Sequence, residues 1–196
     1  MNLNTLVLET TEHGDLPVDV YQKLSNDRIL FIANVITDEV AADIVATLLL
    51  KDSEDPGKKI TLFINSMGGD IRNVFMIYDM MQMLESPVET VCIGAAMDEA
   101  VVLLAAGEPG MRFATKNCRI AVSQLVHDWM AHADLTDAKK ILTLSMTDNK
   151  HMMEILGKCC GKTTKQVTED FDRRVFMSPP QAVKYGLIDK VISFKK

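Results

Sequence analysis

Short apolar runs alternate with amphipathic helical patterns along the first half of this chain, and that alternation restricts the fold more than any other feature. Three runs have the length and content of buried strands, at residues 28–33, 60–65 and 88–93. Each is followed by a segment whose apolar residues recur at helical spacing, and residues 134–157 carry a longer helical pattern. Strands that alternate with helices predict an α/β domain with a largely parallel sheet.

Composition and charge narrow the class of function. Of the 196 residues, 47% are hydrophobic, which is enough for the core of one domain spanning residues 1–196. The net charge of −6 argues against a nucleic-acid partner, because such a partner requires a basic face. Since no apolar run reaches the ~18 residues of a membrane span, no membrane partner is expected either.

The sequence predicts no metal site and no cofactor. The four cysteines include no CxxC pair, so we expect free thiols in a reducing compartment. His127 and His132 lie five residues apart without a matching carboxylate pattern, which argues against a metal site at that segment.

Two strand-to-helix corners are the expected place for chemistry, because sites in α/β sheets form where strand ends meet helix N-termini. At the first corner, Gly68 and Gly69 allow backbone N–H groups to face a ligand closely, as in an oxyanion hole. The second corner runs from Gly94 into a buried helical pattern and carries Met-Asp-Glu at 97–99. Hydrolases often hold a nucleophile at such a turn, but this one has no serine, cysteine or threonine.

Several segments together resemble the proteolytic subunits of the Clp protease. They are LFINSMGGD, CIGAA, LLAAGEPGMRFATKNCRI and FMSPPQAVKYGLIDKVI, within a resemblance that runs from about residue 6 to residue 192. The resemblance implies the ClpP/crotonase-like fold, with repeated β-β-α units and a protruding handle helix. It also implies an N-terminal axial-loop region at about 1–20, and a handle at about 134–157 that lies between two stacked heptameric rings.

The family's Ser-His-Asp triad is degenerate under this resemblance. Its serine lies in a G-x-A-A-S-M-G pattern and corresponds to Asp98. Its histidine lies in an R-I-x-x-H-Q-P pattern and corresponds to Ser123. Its aspartate precedes the F-[LM]-[ST] motif by six residues and corresponds to Asp170. The residues that correspond to a vestigial oxyanion hole are Gly68, Gly69 and Glu99.

These substitutions predict that the chain is not an enzyme. A serine nucleophile needs a neighbouring base, whereas Asp98 would form a high-energy anhydride and Ser123 is no base near neutral pH. We expect Asp98 to cap the following helix or to point into the vestigial oxyanion hole. Two alternatives stay open. One is an atypical peptidase in which Asp98 and Asp170 share a proton and activate water. The other is a crotonase-fold enzyme that uses Asp98 or Glu99 on an acyl-thioester.

Other positions also depart from the family pattern. Met67 stands in place of a usual proline, and Thr61 and Phe63 replace two tyrosines of the pocket that receives the partner chaperone's loops. Glu169 replaces a basic residue that helps to pair the two rings, which predicts weakened ring–ring association. Bulky side chains replace the family's glycine-rich strand before the handle, at His127, Trp129 and His132.

Within the family, the pattern is similar to the non-catalytic ClpR-type subunits of cyanobacteria and plastids. This similarity implies a structural and regulatory role in heptameric rings, together with catalytic ClpP-type subunits and an AAA+ Clp chaperone as partners. Many ClpR chains carry an insertion after the missing histidine, and its absence here leaves another plastid lineage open, such as the apicoplast. The expected location is the stroma of a chloroplast or apicoplast, or the cytoplasm of a cyanobacterium.

Overall fold

The computed structural model describes residues 6–11, 14–125 and 134–193, which form nine strands and seven helices. The strands are β1 Leu6–Thr11, β2 Gly14–Asp19, β3 Ile29–Ile32, β4 Ile60–Ser66, β5 Val88–Met97, β6 Arg112–Thr115, β7 Arg119–Val122, β8 Val175–Met177 and β9 Lys190–Ile192. The helices are α1 Val20–Asn26, α2 Asp38–Glu54, α3 Ile71–Met83, α4 Ala100–Ala105, α5 Leu135–Cys160, α6 Thr164–Asp170 and α7 Pro179–Tyr185. Across these residues no helix is both long and apolar enough to cross a bilayer.

A sheet of seven strands organises the molecule and confirms the predicted α/β class. Strands β3, β4, β5, β6 and β9 lie side by side and pair in parallel. The long strand β5 changes partner along its length, since residues 90–92 pair with β6 and residues 95–97 pair with β7. Strand β8 then pairs antiparallel with β7. The carboxyl-terminal half of β5 therefore leads into a second edge formed by β7 and β8.

The three predicted strands correspond to β3, β4 and β5, and the helices that follow two of them begin at local capping signals. Thr37 accepts a hydrogen bond from the Val40 N–H and begins α2, and Asp70 accepts one from the Arg72 N–H and begins α3. Sequence patterning missed α1 and β8. It also missed the antiparallel hairpin that β1 and β2 form within the expected axial-loop region. The β-β-α form of the unit appears at β1–β2–α1 and β6–β7–α5, whereas the units that begin at β3, β4 and β5 have one strand each.

Helix α5 corresponds to the expected handle, but it is longer than predicted. It runs through Gly157 and ends at Gly161, which has the left-handed backbone typical of a helix C-cap, with φ of 65°. Its 26 residues give a length of about 39 Å at the usual rise. The buried residues of α5 all lie in its second half, from Met152 onward, so the first half projects from the core.

One continuous apolar core lies between the sheet and the helices. Helix α4 is buried over its whole length, and α2 and α3 each present an apolar face to the sheet. The buried Arg28 side chain closes one end of this core. Its guanidinium donates to the carbonyl oxygens of Lys51, Lys58 and Lys59 and to the Ser86 hydroxyl. Four of its five N–H groups thus have acceptors. Hydrogen bonds to Ser86 and Lys58 lower the pKa of the nearby Asp52 and Asp55 carboxyls, and the Arg28 charge adds to this effect, so the buried guanidinium is well compensated.

Candidate functional site

Three strand ends meet at the corner that follows β5. Ser66 at the end of β4 is in register with Ala96 of β5, and Met97 of β5 is in register with Ala121 of β7. The segments that leave these strands therefore emerge side by side. They carry the glycine turn after β4, the 98–99 pair after β5 and Ser123 after β7. The sheet thus brings together the two corners that the sequence singled out, as strand-end geometry predicts.

Asp98 sits in a strained backbone conformation at this corner. Its φ is 50°, one of two positive values at non-glycine residues within the described ranges. Aspartate tolerates this left-handed region better than most residues, because its short polar side chain can find local partners. The Asp98 N–H donates to the Ala121 carbonyl oxygen at 2.7 Å, which ties the corner to β7.

The Asp98 carboxylate is held by two side chains. The Ser123 hydroxyl donates to Oδ1 at 2.7 Å, and Arg174 Nη2 donates to Oδ2 at 2.8 Å. The register of β7 with β8 explains why both donors are present, because Val122 pairs with Val175 and the next residues outward are Ser123 and Arg174. The Gln124 amide strengthens this edge by donating to the Asp172 backbone and side chain. The corner therefore holds an ion pair and a hydroxyl.

The structure does not bring Asp170 to this group, which corrects the sequence-based placement of the third triad member. Asp170 is the last residue of α6, and its carboxylate accepts from the Tyr185 hydroxyl at 2.8 Å. Burial of Tyr185, and then this hydrogen bond, raise the pKa of the phenol well above its usual range. The fully buried Phe171 directly after Asp170 anchors the end of α6 away from β7. Arg174, four residues later, takes the place beside Asp98.

Arg174 was missed by the sequence reading, although one signal could have found it. The apolar triplet at 175–177 forms β8, and antiparallel pairing of that strand with residues 120–122 puts residue 174 next to residue 123. The motif count from Phe176 instead pointed to Asp170 at the end of a helix. A strand register is a stronger guide to side-chain proximity than a fixed offset in sequence.

Asp98 does not cap α4, which corrects a second expectation. The N-cap residue of α4 is Glu99, and its side chain makes no capping hydrogen bond. Instead the Glu99 carboxylate crosses to the turn after β4, where Oε2 accepts from the Gly69 N–H at 3.1 Å. The side chain that reaches the Gly68–Gly69 turn is therefore Glu99, while Asp98 turns toward Ser123 and Arg174.

Comparison with known proteins shows the family. The protein-family model described as Clp protease matches residues 12–195. The chain belongs to the Clp protease family. The ATP-dependent Clp protease proteolytic subunit 2 of Chlamydia trachomatis serovar D is 40% identical over 198 residues, which cover 100% of this chain and 96% of that protein. The subunit of the same name in serovar A of that species matches to the same extent.

At this corner the structure places a hydroxyl, a carboxylate and a guanidinium in contact with one another. The Ser123 hydroxyl donates to one oxygen of the Asp98 carboxylate, and Arg174 donates to the other. Between residues 6 and 193, apart from the gaps at 12–13 and 126–133, no cluster of metal-ligating side chains is present. The predicted features at His127, Trp129 and His132 lie outside the described residues.

Strand β4, which lies inside the sheet between β3 and β5, carries the two positions at which the family pattern has tyrosines. Phe63 stacks on Phe31 with ring centroids 5.1 Å apart, and the Thr61 hydroxyl donates to Glu89. Phe63 also lines a groove of about 470 Å³. The other residues that line it are Glu89, Val91, Phe113, Lys190, Ile192 and Ser193. A groove lined partly by apolar side chains is therefore present on this face of the sheet without either tyrosine.

Proposed function

We propose that this protein is a non-catalytic, ring-forming subunit of an ATP-dependent Clp protease. One observation carries the proposal. The position that corresponds to the family's nucleophile is a carboxylate, and Ser123 and Arg174 already occupy both of its oxygens. Hydrolysis would then belong to catalytic ClpP-type subunits in the same complex, and this chain would contribute ring structure and regulation.

The chemistry of the corner supports a non-catalytic role. An Asp98 acyl product would be an anhydride, and no described histidine contacts Ser123 or Asp98. Loss of a nucleophile or base from such a triad lowers turnover by roughly 10⁶-fold, and further losses add little. The chain is therefore expected to bind within the assembly without cleaving peptide bonds.

The alternative peptidase mechanism is not favoured by the geometry. Two carboxylates that share a proton must lie within hydrogen-bond distance of one another. Asp98 is engaged by Ser123 and Arg174, whereas Asp170 is engaged by Tyr185, and no hydrogen bond links the two acids. The acyl-thioester alternative has no observation in its favour beyond the acids themselves.

Exposed apolar side chains on α5 support assembly into rings. Leu142, Leu144 and Met146 are each about half exposed or more on the projecting half of the helix. Large apolar side chains gathered on one projecting element are typical of a contact surface. We propose that they meet a second ring, that seven copies of this fold form each ring, and that an AAA+ Clp chaperone docks at the groove beside Phe63.

The resemblance to ClpR chains carries a further part of the proposal, which concerns origin. On that resemblance the protein acts in the stroma of a plastid, including the apicoplast, or in the cytoplasm of a cyanobacterium. Fractionation of the source cells with an antibody against the chain tests this, and recovery outside these compartments would contradict it.

Native mass spectrometry combined with active-site labelling tests the proposed function. The chain is measured alone and mixed with a catalytic ClpP-type subunit, and each sample is treated with a serine-reactive fluorophosphonate. We expect heptameric species that contain this chain, with label on the catalytic subunit alone. Stoichiometric labelling of this chain would refute the non-catalytic role, and persistence as an unassembled monomer under both conditions would refute the ring role.

A further inference from the structure

The corner contains a second acid whose position the missing triad does not explain. Glu99 follows Asp98 directly, and its carboxylate reaches back across the end of the sheet to the Gly68–Gly69 turn. It does so although it is the N-cap residue of α4, where a carboxylate could have bonded the helix's own N–H groups. The side chain thus contacts the donor that, in an oxyanion hole, would face a substrate carbonyl oxygen.

The glycine turn is shaped around this carboxylate. Gly68 has φ of 108°, and a Cβ built on it would overlap Glu99 Oε2. A Cβ on Gly69 would lie 2.7 Å from the Ile36 nitrogen, so the opposite side of the turn packs against backbone. The Gly68 N–H donates to the Ser66 hydroxyl oxygen within the turn. The Gly69 N–H is therefore the donor that points into the corner, and Glu99 occupies it.

A carboxylate is a strong competitor at this donor. Charge-assisted hydrogen bonds are about twice as strong as those between neutral groups, so a peptide carbonyl oxygen is the weaker acceptor for the Gly69 N–H. Its negative charge would also repel the oxyanion of a tetrahedral intermediate, which the hole exists to stabilise. Glu99 therefore opposes both binding of the substrate carbonyl and development of the transition state.

We propose that Glu99 is a built-in ligand of the oxyanion hole, which closes the corner to carbonyl substrates independently of the lost nucleophile and base. This inference rests on the proposed non-catalytic function and extends it. It means that restoring a Ser-His-Asp set at positions 98, 123 and 174 is not enough to restore acylation, because the hole stays filled.

The first test compares restored triads with and without Glu99. The parent carries D98S, S123H and R174D, and the comparison chains add either E99M or E99Q. Methionine removes the carboxylate, whereas glutamine keeps the size and removes only the charge. We expect fluorophosphonate labelling at least tenfold faster with E99M than in the parent, with E99Q between them. Equal labelling rates in the parent and the E99M chain would overturn the inference.

The second test needs no restored activity. Hydrogen–deuterium exchange of the Gly69 amide is measured in the otherwise unchanged chain and in E99M, with the amide of Ala95 as an internal control because it donates to Asn65. We expect roughly tenfold faster exchange at Gly69 in E99M and no change at Ala95. If neither restored chain is labelled, this measurement decides, and unchanged exchange at Gly69 overturns the inference. Labelling of the unchanged chain would refute the proposed function and leave the exchange result standing.

Discussion

Asp98 has a left-handed backbone conformation, with φ of 50°, and both oxygens of its carboxylate accept hydrogen bonds. A non-glycine residue in this conformation costs roughly 1 kcal/mol. The contacts to Ser123 and Arg174 offset that cost, because each oxygen of the carboxylate gains a donor. At the scale of single residues, an ion pair and a hydroxyl hydrogen bond thus stabilise the corner.

The coupling between Asp98 and Arg174 can be measured directly. In a double-mutant cycle of D98A and R174A, we expect a coupling of roughly 0.5–1 kcal/mol in the free energy of unfolding. The value is modest because the Arg174 side chain is 49% exposed. The matched control is K116A, in the turn between β6 and β7, where the exposed side chain should change stability by less than about 0.5 kcal/mol. A coupling near zero would show that the contact contributes nothing to stability.

A second ion pair, between Arg112 and Asp189, predicts how stability depends on pH. Burial acts to raise the pKa of Asp189, but the Arg112 guanidinium and the backbone N–H groups of Arg112 and Gly110 outweigh it, so the pKa lies below its ordinary value. A lowered carboxyl pKa stabilises the fold above the unfolded-state pKa of about 4, and this stabilisation is lost as pH falls through the folded-state pKa.

We therefore expect D189N to be less stable at pH 7 by roughly 3 kcal/mol, because Arg112 is left buried without its partner. Below about pH 4 the difference from the unchanged chain should shrink. Denaturant unfolding at a series of pH values measures both effects, with D79N on the exposed side of α3 as the control. A stability difference that does not change with pH would contradict the assignment.

Helix α5 has two glycines near its C-terminus, Gly157 and Gly161, and only Gly161 ends the helix. Gly157 lies inside the helix and is buried. A Cβ at this position would come within 2.9 Å of the Lys162 carbonyl oxygen, so no larger residue fits without a shift. Gly161 has open space around its Cα and the positive φ of a C-cap. At the scale of the element, Gly157 permits close packing of the chain that follows, and Gly161 reverses the chain's direction.

The packing of Gly157 predicts that replacing it with alanine destabilises the protein, which is the opposite of the usual effect in a helix interior. Alanine normally stabilises a helix interior by up to about 1 kcal/mol relative to glycine. We expect G157A instead to destabilise the protein by roughly 1–3 kcal/mol, since the added methyl group is forced against backbone. Thermal unfolding measures this, with T147A on the exposed side of the same helix as a control. Stabilisation by G157A would show that the 161–164 segment shifts at little cost.

At the scale of the whole molecule, the contact of Arg174 with Asp98 changes the expectation for ring–ring association. The expectation of weak ring–ring association rested on Glu169 as the residue before the third triad position. Arg174, and not Asp170, contacts Asp98, and the residue before Arg174 is the basic and highly exposed Arg173. Glu169 instead lies on α6, where it faces Lys165. The argument for weak pairing therefore loses its basis, and we expect Arg173 to meet the second ring.

Charge reversal at Arg173 and at Glu169 tests which of the two residues affects ring–ring association. We expect R173E to shift the proposed double rings toward single rings at least tenfold, because it would place an acid where we propose that the rings meet. E169K should change the distribution much less. Native mass spectrometry of the two variants beside the unchanged chain gives the ratio of single to double rings. A larger effect of E169K than of R173E would restore the sequence-based view.

The sequence by itself determined the features that depend on neighbours along the chain. Apolar runs located three strands of the parallel sheet, and the corner at Asp98 lacks a nucleophile on sequence alone. These signals are local, because caps, turns and periodicity act over a few residues.

Only the tertiary structure decided which side chains meet. Arg174 rather than Asp170 lies beside Asp98 because β8 pairs with β7 in one register, and a buried Phe171 holds the end of α6 elsewhere. Glu99 rather than Asp98 fills the oxyanion hole because the positive φ of Asp98 turns its carboxylate toward β7 and β8. These contacts join segments that are far apart in sequence. Strand register and packing decide which side chain reaches each position, and a local sequence pattern contains no information about either.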